Sequence, residues 1–178
     1  SVSLKTMGLA MMLTLSGCPV LAEEAEVMLV DKIFVDIGDQ QSIEKSLSSF
    51  SAHMETMTTV SREATQKSIV LLDELGSQTD PLEGESLSMA ILDHFREVGC
   101  WVIATTHFSR LKQYGTQHDD ILIASVEFDL QELKPTYHYR ENIMGESNAF
   151  AIAKRLGLDT DIIDRAQSYK EESQYETD

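Results

Sequence analysis

The sequence predicts an α/β fold, a mostly parallel sheet flanked by helices, and three observations carry that expectation. Two apolar runs, "SIVLLDE" (Ser68–Glu74) and "CWVIATTH" (Cys100–His107), are continuous rather than alternating. Continuous runs belong to strands buried on both faces, as in a parallel sheet covered by helices. Between them, Leu87, Ile91, Phe95 and Val98 recur at steps of three and four, the period of an amphipathic helix. Strand and helix patterns then alternate along most of the chain, the order of elements in a parallel α/β fold.

The opening stretch, "SVSLKTMGLAMMLTLSGCPVLAEEAE", has the outline of a secretory signal, and "LSGC" resembles a lipoprotein cleavage site. It fits that reading badly. Lys5 is its only basic residue, no initiator Met precedes it, and the run Met7–Leu15 is broken by Thr14 and too short to span a bilayer. Coiled as a helix, Leu4, Gly8, Met11, Met12 and Leu15 crowd one side, while Met7, Leu9, Ala10 and Leu13 cover much of the rest. A helix apolar nearly all round is expected to be buried, and Gly17 and Pro19 supply a stop.

"KIFVDIG" (Lys32–Gly38) reads as a strand, followed by a helix from about Ser49 with Phe50, Met54, Met57, Val60 and Ala64 on its inner face. Ser68–Glu74 is the next strand. A helix from about Glu83 to Val98 leads to a second strand expected to be buried, Cys100–His107. "ILIASVEFDL" and "PTYHYREN" read as two further strands that could pair antiparallel. Helices near Ser147–Leu156 and Thr160–Lys170 close the chain, and residues 171–178 are expected to form a disordered tail. No internal repeat and no Pro/Gly/Ser-rich linker divides the sequence.

Composition bounds the function. The 178 residues are most simply one domain, long enough for a sizeable core. A net charge of −16 repels phosphate backbones, so the chain is a poor candidate for gripping nucleic acid on its own surface. Its two cysteines, Cys18 and Cys100, lie far apart and match no metal-ligand or disulfide framework, which fits free thiols in a reducing cytoplasm.

Three strands end in polar residues: Asp36 with Asp39 to Gln41, then Asp73-Glu74, then Thr105-Thr106-His107. In open α/β sheets ligands bind outside these carboxyl ends. Four apolar residues followed by Asp-Glu form the Walker B pattern of ATPases. Asp73 can hold Mg²⁺ through its water shell, since that ion demands oxygen ligands and gives up water reluctantly. Glu74 can orient or deprotonate the water that attacks a γ-phosphate. Alone, an acidic pair at a strand end is as well explained by solvation or helix capping. His107, at the end of the neighbouring strand, could reach both a γ-phosphate and Glu74, although capping of a nearby helix is an equal alternative. His53, His94, His118 and His138 form no ligand cluster and read as structural.

No G-x-x-x-x-G-K-[ST] phosphate loop occurs in the sequence. Such a loop lies before the first helix of its fold, and Ser1 stands directly before the apolar helix. Ser1 is therefore placed to be the last Ser/Thr of a phosphate loop, and the apparent signal becomes the helix that follows it.

Together these segments resemble the ATPase domain of the MutS family, within the ABC-type ATPases, and more nearly its bacterial MutS-two type than mismatch-recognising MutS. "SVSLKT" resembles the run after Gly-Gly-Lys of the phosphate loop, and "DIGDQQSIEKSLSSFSAHM" (Asp36–Met54) the glutamine-loop and signature region. "LLDELGSQTDPLEGESLSMAIL" is similar to the MutS-two Walker B segment and its following loop, "IATTHFSRLKQYG" to the switch-histidine segment, and "GESNAFAIAKRLGLDTDIIDRAQ" to the closing helices.

The resemblance implies a P-loop NTPase of ABC type over residues 1–170, with its first strand and most of its phosphate loop truncated. It implies ATP and Mg²⁺ as cofactors, with Glu74 and His107 catalytic and Asp73 and Ser1 at the metal. It also implies head-to-tail homodimers, ATP lying between one phosphate loop and the partner's signature. Ser48 and Ser49 fall on that signature, at a helix start whose N–H groups would face a γ-phosphate in trans. Gln40 or Gln41 falls on the glutamine loop, with spacing leaving the choice open, and Gly76 and Ser77 fall on the loop that contacts the partner subunit. DNA or ribosome binding, and a nuclease domain where one exists, would belong to other parts of a cytoplasmic parent without membrane attachment. Two readings follow: the ATP-hydrolysing dimerisation domain of a recombination-control or ribosome-rescue protein, or a non-catalytic dimerisation module unable to cycle ATP alone. The isolated chain is expected to be inactive. An exported lipoprotein would leave Asp73-Glu74 and His107 as coincidence.

Overall fold

The structure is a computed structural model, and it describes residues 1–38, 49–145 and 147–175. In chain order the elements are α1 (Val2–Leu15), β1 (Ile33–Asp36), α2 (Ser49–Glu63), β2 (Ile69–Leu72), α3 (Pro81–Val98), β3 (Trp101–Ala104), α4 (Ser109–Thr116), β4 (Ala124–Asp129), β5 (Lys134–Glu141), α5 (Ala149–Arg155) and α6 (Thr160–Tyr175). The chain divides into two compact units, residues 1–118 and 119–178, where the sequence reading has one ATPase domain over 1–170 and a tail over 171–178.

The first unit is built on β2. It lies between β1 and β3 in a three-stranded parallel sheet of order β1-β2-β3. All four of its side chains are buried, and strand alternation sends them to opposite faces. Val70 and Leu72 meet Met57 and Val60 of α2 and Phe95 of α3. Ile69 and Leu71 meet Leu4 and Met11 of α1 on the other side. Helices therefore cover both faces of the sheet, which is why β2 reads as an unbroken apolar run.

Two burial expectations change. The first helix was expected to be buried all round, yet only Leu4, Gly8 and Met11 are, while Val2, Leu9, Met12 and Leu15 are exposed. A helix lying on one sheet face covers a single stripe, and a Cβ on Gly8 would come within 2.7 Å of Leu71 Cδ1 on that stripe. The strand at Cys100–His107 was expected to be buried on both faces. Among the described residues β3 pairs with β2 alone, and Trp101 is exposed.

Helix limits follow local chemistry. Gly17, at φ 73°, ends α1, and Cys18 N–H donates to Leu13 O. Asp80 caps α3 by accepting from Leu82 N–H and Glu83 N–H, with Pro81 in the first turn, so the helix begins before the expected Glu83. Gly99 closes it in the left-handed conformation. The inner face of α3 also differs: Phe95 is buried as expected, but Gly84 and Ser88 are fully buried where Leu87 and Val98 are only partly so. An eight-residue helix, α4, follows His107; its bounds were not drawn from sequence.

In the second unit β4 and β5 pair antiparallel, with an irregularity between Val126 and Phe128. Helix α6 continues to Tyr175, beyond the expected end near Lys170. Among the described residues no helix is long and apolar enough to cross a membrane.

Candidate active site

Register decides which side chains meet. Leu72 of β2 pairs with Asp36 of β1 and with Ala104 of β3, so Asp36, Asp73 and Thr105 emerge together at the carboxyl edge. Two further bonds hold these ends: Thr105 N–H donates to Leu72 O at 2.9 Å, and Asp73 N–H to Asp36 O at 2.9 Å.

From this edge the carboxylates are tied to one hydroxyl. Thr105 Oγ1 donates to Asp73 Oδ1 at 2.7 Å and accepts from Glu74 N–H at 2.9 Å. Glu74 takes a left-handed backbone with φ 51°, uncommon for a residue with a side chain. Glu74 Oε1 lies 3.2 Å from His107 Nε2, the imidazole being largely exposed. The α-amino group of Ser1 is 3.4 Å from Asp73 Oδ1. Ser1, Asp73, Glu74 and His107, read from separate segments, are thus brought to one place.

Burial of the Asp73 carboxyl pushes its pKa upward, hydrogen bonds from Ser1 and Thr105 pull it down, and the balance lies below the ordinary value. Asp73 is therefore ionised at neutral pH, a hard oxygen ligand beside the Ser1 hydroxyl. Among the described residues no group of three or more His, Cys, Asp or Glu side chains could enclose a metal. An ionised carboxylate beside a hydroxyl offers hard oxygen donors, the kind Mg²⁺ accepts while keeping most of its waters.

Gly76 and Ser77 follow in the same loop, and Ser77 N–H donates to Glu74 O at 3.0 Å. Gly76 has φ 80°, and a Cβ there would strike Ser88 Oγ and lie 2.5 Å from Gly84 O. The loop thus rests directly on the first turns of α3. Gln40, Gln41 and Ser48 lie outside the described residues. Ser49 is the first residue of α2.

Sequence reasoning missed two features of this edge. Thr105 reads from sequence only as a polar strand end; a hydroxyl directly after an apolar run, one strand along from an Asp-Glu pair, is the available signal. His53 reads from sequence as a structural residue outside any ligand cluster; its Nδ1 lies 2.6 Å from Asp36 Oδ2, and Asp36 is buried with Oδ1 lacking a hydrogen-bond partner among the described residues. Only tertiary pairing of β1 with α2 brings those two together.

A family profile described as MutS domain V matches residues 1–174. The chain belongs to the MutS domain V family. Among relatives of this MutS domain V chain, a protein named Endonuclease MutS2 from Caldanaerobacter subterraneus subsp. tengcongensis is 49% identical over 170 residues, 95% of this chain and 22% of that protein. One of the same name from Brevibacillus brevis is 48% identical over 180 residues, covering 99% of this chain and 23% of its own. A third, from Streptococcus suis, is 50% identical over 170 residues, 95% of this chain and 22% of its own. The MutS domain V chain is thus of the MutS2 type and spans under a quarter of the length of the curated relatives it matches.

Proposed function

We propose that the chain is the ATP-binding and ATP-hydrolysing dimerisation domain of a longer MutS2-type protein, with the edge of β2 and β3 as its hydrolytic site. The observation that carries the reading is the Glu74–His107 contact at 3.2 Å, set beside an ionised Asp73 in a MutS domain V chain. Glu74 is the general base that takes a proton from the attacking water. His107, in the loop that follows the adjacent strand, orients Glu74 and the terminal phosphate. Asp73 and the Ser1 hydroxyl would hold Mg²⁺, which when bound neutralises phosphate charge.

Gln40 or Gln41 senses the nucleotide, while Ser48 and Ser49 face the nucleotide of a second copy and Gly76 and Ser77 meet that copy. Engagement of DNA or a ribosome, and nuclease action of the kind the relatives' name carries, belong to other parts of the longer protein, which acts in the cytoplasm.

Glu74→Gln in the full-length protein tests the assignment. The amide keeps the size of the side chain but cannot accept the proton, so ATP binding is retained while turnover falls by about 10²-fold or more. The trapped nucleotide lengthens the life of the dimer. Steady-state phosphate release and nucleotide filter binding read the two quantities, and wild-type turnover in this variant would show that Glu74 is only structural.

A further inference from the structure

One side chain joins the two acidic residues of this edge without being assigned any role in it. We propose that Thr105 is a positioning residue for ATP hydrolysis: its single hydroxyl fixes both acidic residues at once, donating to Asp73 and accepting the Glu74 amide. The inference rests on the hydrolytic reading given above and names what holds its base in place.

A threonine hydroxyl has one proton and lone pairs to accept with. Here the proton goes to Asp73 Oδ1 at 2.7 Å and a lone pair takes Glu74 N–H at 2.9 Å. The two bonds reinforce each other, because donation to a carboxylate makes the oxygen a better acceptor. Glu74 is the residue that needs such an anchor. Its φ of 51° lies in the left-handed region, which a side-chain-bearing residue holds only when its surroundings over-determine it.

The main chain of Thr105 completes the clamp. Its N–H continues the β2–β3 ladder to Leu72 O, and its carbonyl accepts Leu75 N–H at 3.2 Å. Leu72, Asp73, Glu74 and Leu75 are thus all bound by this one residue. Thr105 also stands two positions before His107, so the clamp sets the Glu74 carboxylate against the imidazole across the two strand ends. It touches no reacting atom; it acts through Asp73 and Glu74.

Thr105→Val keeps the shape and removes the hydroxyl, and Thr105→Ser keeps the hydroxyl and removes the methyl. In this 178-residue chain, hydrogen exchange at the Glu74 amide should quicken about tenfold or more in the Val variant and return toward wild type in the Ser variant. In the full-length protein, kcat should fall about 10- to 100-fold in the Val variant while KM for Mg-ATP stays within about threefold, since nothing contacting the nucleotide is removed. The Ser variant should restore kcat. If the Val variant does not fold, Thr105→Ala removes the same hydroxyl.

Unchanged Glu74 exchange in the Val or Ala variant would overturn the clamp, as would a Ser variant as impaired as Val. Retained kcat in the Val variant, with Glu74→Gln inactive, would overturn its role in hydrolysis. Full turnover in Glu74→Gln would instead refute the hydrolytic reading itself, and with it the part of the proposal that concerns turnover. The exchange measurement still decides the clamp.

Discussion

Asp73 carries opposing effects whose balance can be measured. Its side chain is 7% exposed, which disfavours its charge, while hydrogen bonds from Ser1 and Thr105 favour it, and the balance lowers its pKa. A carboxyl whose pKa is lowered on folding stabilises the native state above its unfolded value of about 3.9, and that contribution is lost as pH falls through the folded value. Asp73→Asn removes the titration. The stability of wild type relative to this variant, from urea midpoints, should therefore be greatest near neutrality and decline as pH drops to about 3 and below. A difference that stays constant or grows on acidification would mean that the partners of Asp73 do not outweigh its burial.

Residue placement was legible where a polar side chain directly follows an apolar strand run, as at Asp73 and Glu74. It was not legible where the partner arrives from another element. Nothing in the spacing of Asp36 and His53 announces their 2.6 Å contact, because it exists only once α2 lies over β1.

At the scale of elements, the central strand betrayed itself because both of its faces are covered, and its continuous apolar run says so. Strand β3 has a similar run, yet Trp101 is 58% exposed. Hydropathy reports which residues tolerate burial, whereas the number of neighbours a strand has is a property of the sheet. Helix α3 shows the converse limit. Its apolar period marks Phe95 correctly, but the face nearest the site is Gly84 and Ser88, chosen for smallness rather than hydropathy.

The close approach there gives a direct prediction. A Cβ on Gly84 would strike the carbonyl oxygen of Gly76, a backbone atom that cannot rotate aside. Helix propensity alone would favour Gly84→Ala by up to about 1 kcal/mol. Overpacking costs about 1–3 kcal/mol where neighbours are rigid, so the net change should be destabilising. Chemical denaturation of the chain measures it. An Ala variant as stable as wild type, or more so, would show that the loop after β2 is not seated on α3.

At the scale of the whole chain, a net charge of −16 sets up a field that opposes an approaching anionic nucleotide. In the proposed arrangement each hydrolytic site draws Glu74 and His107 from one copy and Ser48 and Ser49 from the other. A two-fold pair of this kind makes each surface patch serve twice, once from each side. That reciprocity allows the central claim to be tested by mixing two inactive full-length variants, Glu74→Gln and Ser48→Arg. In a mixed dimer one site carries both changes and the other carries neither. With random assortment half the dimers are mixed and each holds one intact site, so the mixture should recover about a quarter of wild-type ATP turnover. A mixture as inactive as either variant alone, with mixed dimers demonstrated by native mass spectrometry, would contradict a site completed between two copies.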